Sequence, residues 1–169
     1  MSKIIIIAEA GVNHNGKLKS ALKLVQLASK AGADYVKFQT FNPDALTTKN
    51  LGLADYQKKN EKKKTHFKLL DDLKLSEGDL KKIIKRCKKN KIKFLSSPFD
   101  LESIILLKKL KLKMFKIPSG EITNIPYLRL LGSFNKKIIL STGMSTFKEV
   151  IEAVKILTKS GTKKKKYFT

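Results

Sequence analysis

Arginine is scarce in this chain, although basic residues are abundant. Arg86 and Arg129 are the only arginines among 37 basic residues, which face 14 acidic ones and give a formal net charge of +23. The planar guanidinium of arginine is the side chain best suited to reading phosphates and base edges. The lysines are spread over every predicted helix, and no nucleic-acid-binding motif stands out. We therefore predict no specific nucleic-acid partner, with weak, salt-sensitive polyanion binding as the alternative.

Cysteine and long apolar runs are also lacking. Cys87 is the single cysteine, so the chain can form no internal disulfide. No apolar run approaches the roughly 18 residues of a membrane-spanning helix, and Ile4–Ile7 is too short for the core of a secretion signal. These absences predict a cytoplasmic protein with no membrane partner. The 169 residues, 41% of them hydrophobic, fit one domain with a buried core.

Short apolar runs alternate with segments of helical periodicity. The predicted strands are Ile4–Ile7, Tyr35–Val36, Ile92–Leu95, Lys113–Phe115 and Lys137–Leu140, and Tyr167–Thr169 would open a sixth. The predicted helices are Leu18–Ala31, Thr65–Leu73, one starting at Ser76, Asp100–Leu110, Ile125–Gly132 and Thr146–Lys159. The polar stretch Thr40–Lys64 is predicted to be a long functional loop.

This alternation predicts an α/β fold with a parallel sheet, in which the carboxyl ends of the strands meet at one edge. Five βα units and the start of a sixth strand indicate a TIM-type (β/α) barrel. Such a barrel typically needs about 250 residues. Residues 1–169 are therefore expected to be roughly the first two-thirds of an incomplete barrel.

Each predicted strand leads into polar residues for which a core has no use. They are Glu9, Lys37 with Gln39, Ser96 with Ser97, Lys116 with Ser119 and Glu121, and Ser141 with Thr142. Gathered at one sheet edge, lysines, carboxylates and hydroxyls would form a polar mouth suited to an anionic, hydroxylated ligand. This pattern is typical of an enzyme.

Structural explanations compete with chemical ones at several positions. An inward Lys37 is better explained by anion binding than by structure, and the Glu9 carboxylate is costly unless it is partnered or used. Ser97, which precedes a proline, fits a plain turn as well as a projected hydroxyl. His14 is interpreted first as a hydrogen-bonding residue of a turn. Cys87 lies on an apolar helical face and is predicted to be a core residue rather than a nucleophile.

Five motifs together resemble the sialic acid synthase family, whose enzymes condense phosphoenolpyruvate with an N-acetylated amino sugar. They are AEAGVNHNG (Ala8–Gly16), VKFQT (Val36–Thr40), FLSSPFD (Phe94–Asp100), FKIPSGEITN (Phe115–Asn124) and ILSTGMST (Ile139–Thr146). The resemblance covers essentially the whole chain and implies a transferase that forms a carbon–carbon bond. Its sugar would be N-acetylmannosamine or a related one, and its products a nonulosonic acid and phosphate. Sialic acid synthase is the leading specificity, and legionaminic and pseudaminic acid synthases are the alternatives.

The resemblance also implies roles for individual residues. The implied catalytic residues are Glu9, Glu121 and Lys116. The implied substrate-binding residues are Lys37, Gln39, Ser97, Ser119 and Ser141. In this scheme the two lysines neutralise the phosphate and carboxylate of phosphoenolpyruvate, the serines complete that cradle, and the carboxylates steer water and move protons.

The family further implies components that lie outside this sequence. A divalent metal, manganese or magnesium, polarises the sugar aldehyde, and its two histidine ligands belong to strands beyond Thr169. Neither His14 nor His66 matches a ligand position, so no metal-binding residue is assigned. The remaining strands and a small antifreeze-like domain that reaches into the partner subunit of a homodimer are expected to be absent. A catalytically inactive fragment of such a synthase is therefore the alternative for this chain alone.

Overall fold

The computed structural model describes residues 4–49, 51–52, 65–163 and 167–168. Its elements in chain order are β1 (Ile7–Gly11), α1 (Leu18–Lys30), β2 (Tyr35–Thr40), α2 (Pro43–Leu46), α3 (His66–Leu73), α4 (Glu77–Lys89), β3 (Lys93–Pro98), α5 (Leu101–Lys109), β4 (Met114–Ile117), a 3-10 turn (Ser119–Glu121), α6 (Ile125–Ser133), β5 (Lys137–Leu140), α7 (Phe147–Lys159) and β6 (Tyr167–Phe168). The predicted α/β organisation with parallel strands is confirmed. The chain divides into two compact units, Met1–Phe94 and Leu95–Thr169, with the boundary inside β3.

In the first unit, β1 and β2 are parallel neighbours whose register places Glu9 opposite Lys37. The strand β3, which begins in this unit at Lys93, is the third strand of the sheet. The helices α1 and α4 pack against each other. Their carboxyl ends are joined by a 2.6 Å hydrogen bond that the Ser29 hydroxyl donates to the Asn90 carbonyl. These helices bury Ala21, Val25, Ala28, Leu80, Ile83 and Cys87.

Cys87 is a core residue, as its helical spacing predicted. Its side chain is buried on α4 together with Leu80 and Ile83. Burial raises the pKa of the Cys87 thiol to about 12, so the nucleophilic thiolate is scarce at neutral pH. A role as a nucleophile is thus disfavoured by the structure.

In the second unit, β4, β5 and β6 form a parallel sheet in that order. The register pairs Lys116 with Ile139 and Ile117 with Leu140, so the residues that follow both strands emerge at the same edge. The pairing of β6 with β5 confirms the predicted sixth strand. Residues 164–166 and Thr169 lie outside the described residues.

Helix starts agree with the capping signals in the sequence. Thr65 accepts a hydrogen bond from the Lys68 amide at the start of α3. Ser76 and Thr146 each form a reciprocal capping box with the acidic residue three positions later. These contacts satisfy amide groups that the first helical turn leaves without partners. None of the helices in the described ranges is long and apolar enough to cross a membrane.

The first strand begins later than predicted. The apolar run Ile4–Ile7 was expected to form it, but β1 spans Ile7–Gly11 and Ile4 is 82% exposed. Ile6 is the last residue before the strand; its amide donates to the Asp34 carboxylate and its carbonyl accepts from the Asp34 and Tyr35 amides. The pairing partner on β2 therefore determines where β1 runs, and local apolarity does not.

Three other strands also extend beyond their apolar runs. They are β2, predicted over Tyr35–Val36, β3, predicted over Ile92–Leu95, and β4, predicted over Lys113–Phe115. Backbone pairing continues through polar positions because ladder hydrogen bonds do not depend on the side chain. Lys37, Gln39, Ser97 and Lys116 consequently lie within strands. The predicted loop Thr40–Lys64 contains α2, and its residues 50 and 53–64 are outside the described part of the chain.

Gly132 permits a close approach of α6 and α7. A Cβ atom on Gly132 would lie 2.7 Å from the Ser160 Cβ and 2.9 Å from the Leu157 carbonyl oxygen. Gly132→Ala is therefore expected to lower the free energy of unfolding by about 1–3 kcal/mol through overpacking, as measured by urea titration. Gly120→Ala is the control, since its Cβ meets nothing within 4 Å. Equal stability of the two variants would contradict this packing.

Candidate active site

The first unit brings together three of the predicted site residues, Glu9, Lys37 and Gln39. The Lys37 Nζ lies 2.8 Å from Glu9 Oε1, and the two residues face each other across β1 and β2. The Lys37 side chain is only 4% exposed, whereas that of Glu9 is 55% exposed. A buried ammonium requires a nearby counter-charge, which Glu9 supplies from the solvent side.

Gly11 keeps the space beside this ion pair open. It has a φ of +51°, and a Cβ there would lie 3.2 Å from Glu9 Oε1 and 3.9 Å from Gln39 Nε2. The strand register shifts between Glu9 and Gly11. Irregular positions of this kind often redirect side chains beside functional sites. The carboxylate, the ammonium and the amide thus border one small polar region of the first unit.

His14 acts as a hydrogen-bonding residue of the turn, as predicted. Its Nδ1 accepts a 3.0 Å hydrogen bond from the Gly16 amide, which places the proton of the neutral ring on Nε2. The residue is 1% exposed and lies beside the Phe38 ring. Its Nε2 has no hydrogen-bond partner among the described residues. Burial lowers the pKa of His14 and so favours the uncharged imidazole.

The His14 environment predicts a loss of stability in acid. Burial lowers the folded-state pKa below the unfolded value of about 6.5, so the unfolded chain binds a proton first as the pH falls. The stability contributed by neutral His14 is present above about pH 6.5 and decreases below it. We expect the urea midpoint of the wild type to fall more between pH 7.5 and 5.5 than that of His14→Gln. An unchanged slope in His14→Gln would contradict the assignment.

The second unit contains Lys116, Ser119, Glu121 and Ser141. Lys116 is half-buried in β4, and the Ser141 amide at the end of β5 donates a 3.1 Å hydrogen bond to the Ile117 carbonyl. A Cβ atom on Gly143 would lie 3.7 Å from the Ser119 Oγ, so the segments after β4 and β5 approach closely. Two hydroxyls and one ammonium therefore belong to the ends of two neighbouring parallel strands.

Ser97 lies in β3 and is buried with 1% of its surface exposed. Its hydroxyl is one of the few buried polar groups without a hydrogen-bond partner among the described residues. Buried hydroxyls are nearly always satisfied in folded proteins. The binding role that the motif resemblance implies for Ser97 stays a prediction.

The sequence did not predict the hydrogen bonds around Tyr127. The Tyr127 hydroxyl donates a 2.8 Å hydrogen bond to the Pro98 carbonyl. Asn124 caps α6 by accepting from the Tyr127 amide, and its side-chain amide donates to Glu121 Oε2 at 2.7 Å. Asp100 caps α5 by accepting from the Ser103 amide and hydroxyl. The one available signal was a tyrosine on an apolar helical stripe, since a buried tyrosine hydroxyl must find a partner.

The divalent metal that the motif resemblance implies stays a prediction, because its histidine ligands are expected beyond Thr169. No group of three or more histidine, cysteine, aspartate or glutamate side chains among the described residues could hold a metal ion. His14 already uses its Nδ1 for the Gly16 amide.

Comparisons with known proteins agree with the motif resemblance. Residues 24–167 match the model of the NeuB family. An N,N'-diacetyllegionaminic acid synthase of Campylobacter jejuni is 49% identical over 165 residues, covering 97% of this chain and 49% of that protein. An enzyme of the same name from Legionella pneumophila is 47% identical over 150 residues, covering 88% of this chain and 42% of that protein.

A solved structure is similar as well. The N-acetylneuraminic acid synthetase of Leptospira borgpetersenii, crystallised with citrate, superposes with a TM-score of 0.79 at 29% identity, covering 94% of this chain and 51% of that one. The chain thus spans about half the length of the curated relatives that it matches.

Proposed function

The chain belongs to the NeuB family, and from this we propose that it carries the phosphoenolpyruvate-binding part of a nonulosonic acid synthase. The proposed reaction joins phosphoenolpyruvate, an N-acetylated amino sugar and water to give a nonulosonic acid and inorganic phosphate. We further propose that the strands of both units belong to one TIM-type (β/α) barrel, of which this chain holds part. The observation that carries the proposal is the buried Lys37 ammonium beside Glu9.

Lysines and hydroxyls form the proposed anion cradle. Phosphoenolpyruvate carries a phosphate and a carboxylate, and each needs a cation and hydrogen-bond donors when it leaves water. We assign Lys37 and Lys116 to these two charges. Ser97, Ser119 and Ser141 would donate the remaining hydrogen bonds. The unpartnered Ser97 hydroxyl supports this assignment because a ligand oxygen would satisfy it.

Carboxylates perform the proposed proton transfers. The enol carbon of phosphoenolpyruvate attacks the sugar aldehyde, and water adds to the carbon that bears the phosphate. Phosphate then leaves from the tetrahedral intermediate. We assign Glu9 and Glu121 to guiding this water and moving its proton, since both carboxylates keep solvent access. Gln39, whose amide lies near Gly11, would hydrogen-bond the sugar.

The amino sugar is proposed to be the precursor of N,N'-diacetyllegionaminic acid. Two relatives that carry this product in their names are 49% and 47% identical to the chain. The test supplies the purified chain with phosphoenolpyruvate, a divalent cation and one of three sugars, the precursors of legionaminic, sialic and pseudaminic acids. Phosphate release and the product mass are measured. Preferred turnover of either of the other two sugars would refute this specificity.

A chain that binds phosphoenolpyruvate without turning it over is the second candidate, because the described residues supply no metal site. Calorimetric titration with phosphoenolpyruvate separates the possibilities. Binding without phosphate release favours this second candidate, whereas binding with release supports the full reaction. The absence of both binding and release would refute the proposed function.

A further inference from the structure

Tyr127 connects two of the motifs that contain proposed site residues. It is the third residue of α6, and its side chain is completely buried. Its hydroxyl donates to the carbonyl of Pro98, the residue directly after Ser97. The hydrogen bond therefore joins α6 to the end of β3 within the second unit.

This hydrogen bond restrains the backbone next to Ser97. Proline has a fixed φ, and the residue before a proline is confined to extended conformations. The main freedom left at this point is the ψ angle of Pro98, which sets the direction of its carbonyl group. Since Tyr127 holds that carbonyl, it fixes the position of the backbone at the end of β3, from which the Ser97 side chain projects.

Hydrogen bonds at the start of α6 also connect Tyr127 to Glu121. Asn124 accepts a hydrogen bond from the Tyr127 amide and donates one to the Glu121 carboxylate. A series of hydrogen bonds thus runs from Glu121 through Asn124 and Tyr127 to Pro98. It ends next to Ser97, whose hydroxyl has no partner among the described residues. The start of α6 thus holds the Glu121 side chain through Asn124 and the backbone next to Ser97 through Tyr127.

The Tyr127 hydroxyl is suited to a permanent donor role. Burial, followed by the negative charges of Glu121 and Asp100, raises the pKa of Tyr127 above its usual range. The hydroxyl therefore stays protonated at neutral pH, where it can donate to the Pro98 carbonyl.

We propose that Tyr127 is a positioning residue, which aligns the Ser97 hydroxyl with an oxygen of bound phosphoenolpyruvate. The inference rests on the proposed function, since only that function makes Ser97 a ligand of this substrate. Tyr127 itself touches no substrate and acts through the Pro98 carbonyl. A purely structural role would instead make Tyr127 affect binding independently of Ser97.

A double-mutant cycle distinguishes these roles. The affinity for phosphoenolpyruvate is measured by calorimetry for the wild type, Tyr127→Phe, Ser97→Ala and the double variant. We expect Tyr127→Phe to weaken binding about three- to tenfold and Ser97→Ala about tenfold. The double variant should bind within about twofold of Ser97→Ala, because the tyrosine acts through the serine. Tyr35→Phe, on β2, is the matched control and should bind like the wild type.

Four results would count against the proposal or its basis. Losses that multiply in the double variant, or wild-type affinity in Tyr127→Phe, overturn the positioning role and leave the proposed function intact. If the wild type itself fails to bind phosphoenolpyruvate, both the proposed function and this inference are refuted. Should Tyr127→Phe fail to fold, Asn124→Ala replaces it, because it removes the side chain that holds the Tyr127 amide at the start of α6; wild-type affinity in Asn124→Ala would overturn the proposal.

Discussion

Replacing Lys37 with methionine should weaken phosphoenolpyruvate binding by about 10- to 100-fold. A hydrogen bond to a charged group contributes about 1.5–3 kcal/mol, and about 1.4 kcal/mol corresponds to a factor of ten. Methionine has a similar length and no charge, so the packing of the buried stem is largely kept. The Glu9 carboxylate, half exposed in the present structure, can be hydrated when its partner is lost. Calorimetric titration measures the effect.

Lys81→Met is the matched control for this substitution. Lys81 also forms an ion pair, at 2.7 Å from Glu77, but it does so on the exposed surface of α4. Exposed pairs of this kind contribute about 0–1 kcal/mol, so we expect neither binding nor stability to change much. If both variants lost the same affinity, general attraction of the anion by this basic chain would explain binding. If Lys37→Met bound like the wild type, Lys37 would not be a ligand.

Helix starts were predictable because their signals are local. Thr65, Ser76 and Thr146 each accept a hydrogen bond from an amide three residues later in the same segment. The two residues that form each capping hydrogen bond therefore lie only three positions apart in the sequence. Strand bounds depend instead on a partner elsewhere in the chain. Ile4 illustrates this, because its apolar side chain predicted a strand while the pairing of Glu9 with Lys37 places β1 further along.

The residues of the candidate site were easier to predict than the contacts that hold them. Lys37 and Ser97 are conspicuous because polar groups within apolar strands need a reason. Tyr127 is inconspicuous, since an aromatic residue on a helical stripe fits an ordinary core position. Its acceptor, the Pro98 carbonyl, is 29 residues away. Only the packing of α6 on the end of β3 brings the two groups together, and periodicity contains no such information.

The largest stability effect is expected for Gly16→Ala. Gly16 adopts a φ of +69°, and a Cβ atom there would overlap the backbone carbonyl oxygen of Asp72 on α3. A left-handed backbone costs an alanine about 1–2 kcal/mol, and overpacking against a rigid neighbour commonly costs about 1–3 kcal/mol more. Because a domain of this size is typically stable by only about 5–15 kcal/mol, the variant should unfold at much lower urea concentration.

Two other glycines separate the contributions to this effect. Gly32 has a φ of +80° but nothing within 4 Å of its Cβ position. Gly32→Ala should therefore lower the free energy of unfolding by only the backbone contribution of about 1–2 kcal/mol. Gly78 is in α4 and has no positive φ. Gly78→Ala should therefore raise the free energy of unfolding by up to about 1 kcal/mol. The stabilities should therefore rank Gly78→Ala above Gly32→Ala above Gly16→Ala. A Gly16→Ala variant no weaker than Gly32→Ala would mean that the turn after β1 does not pack against α3. In that case the hydrogen bond from the Gly16 amide to His14 would be the main restraint on this turn.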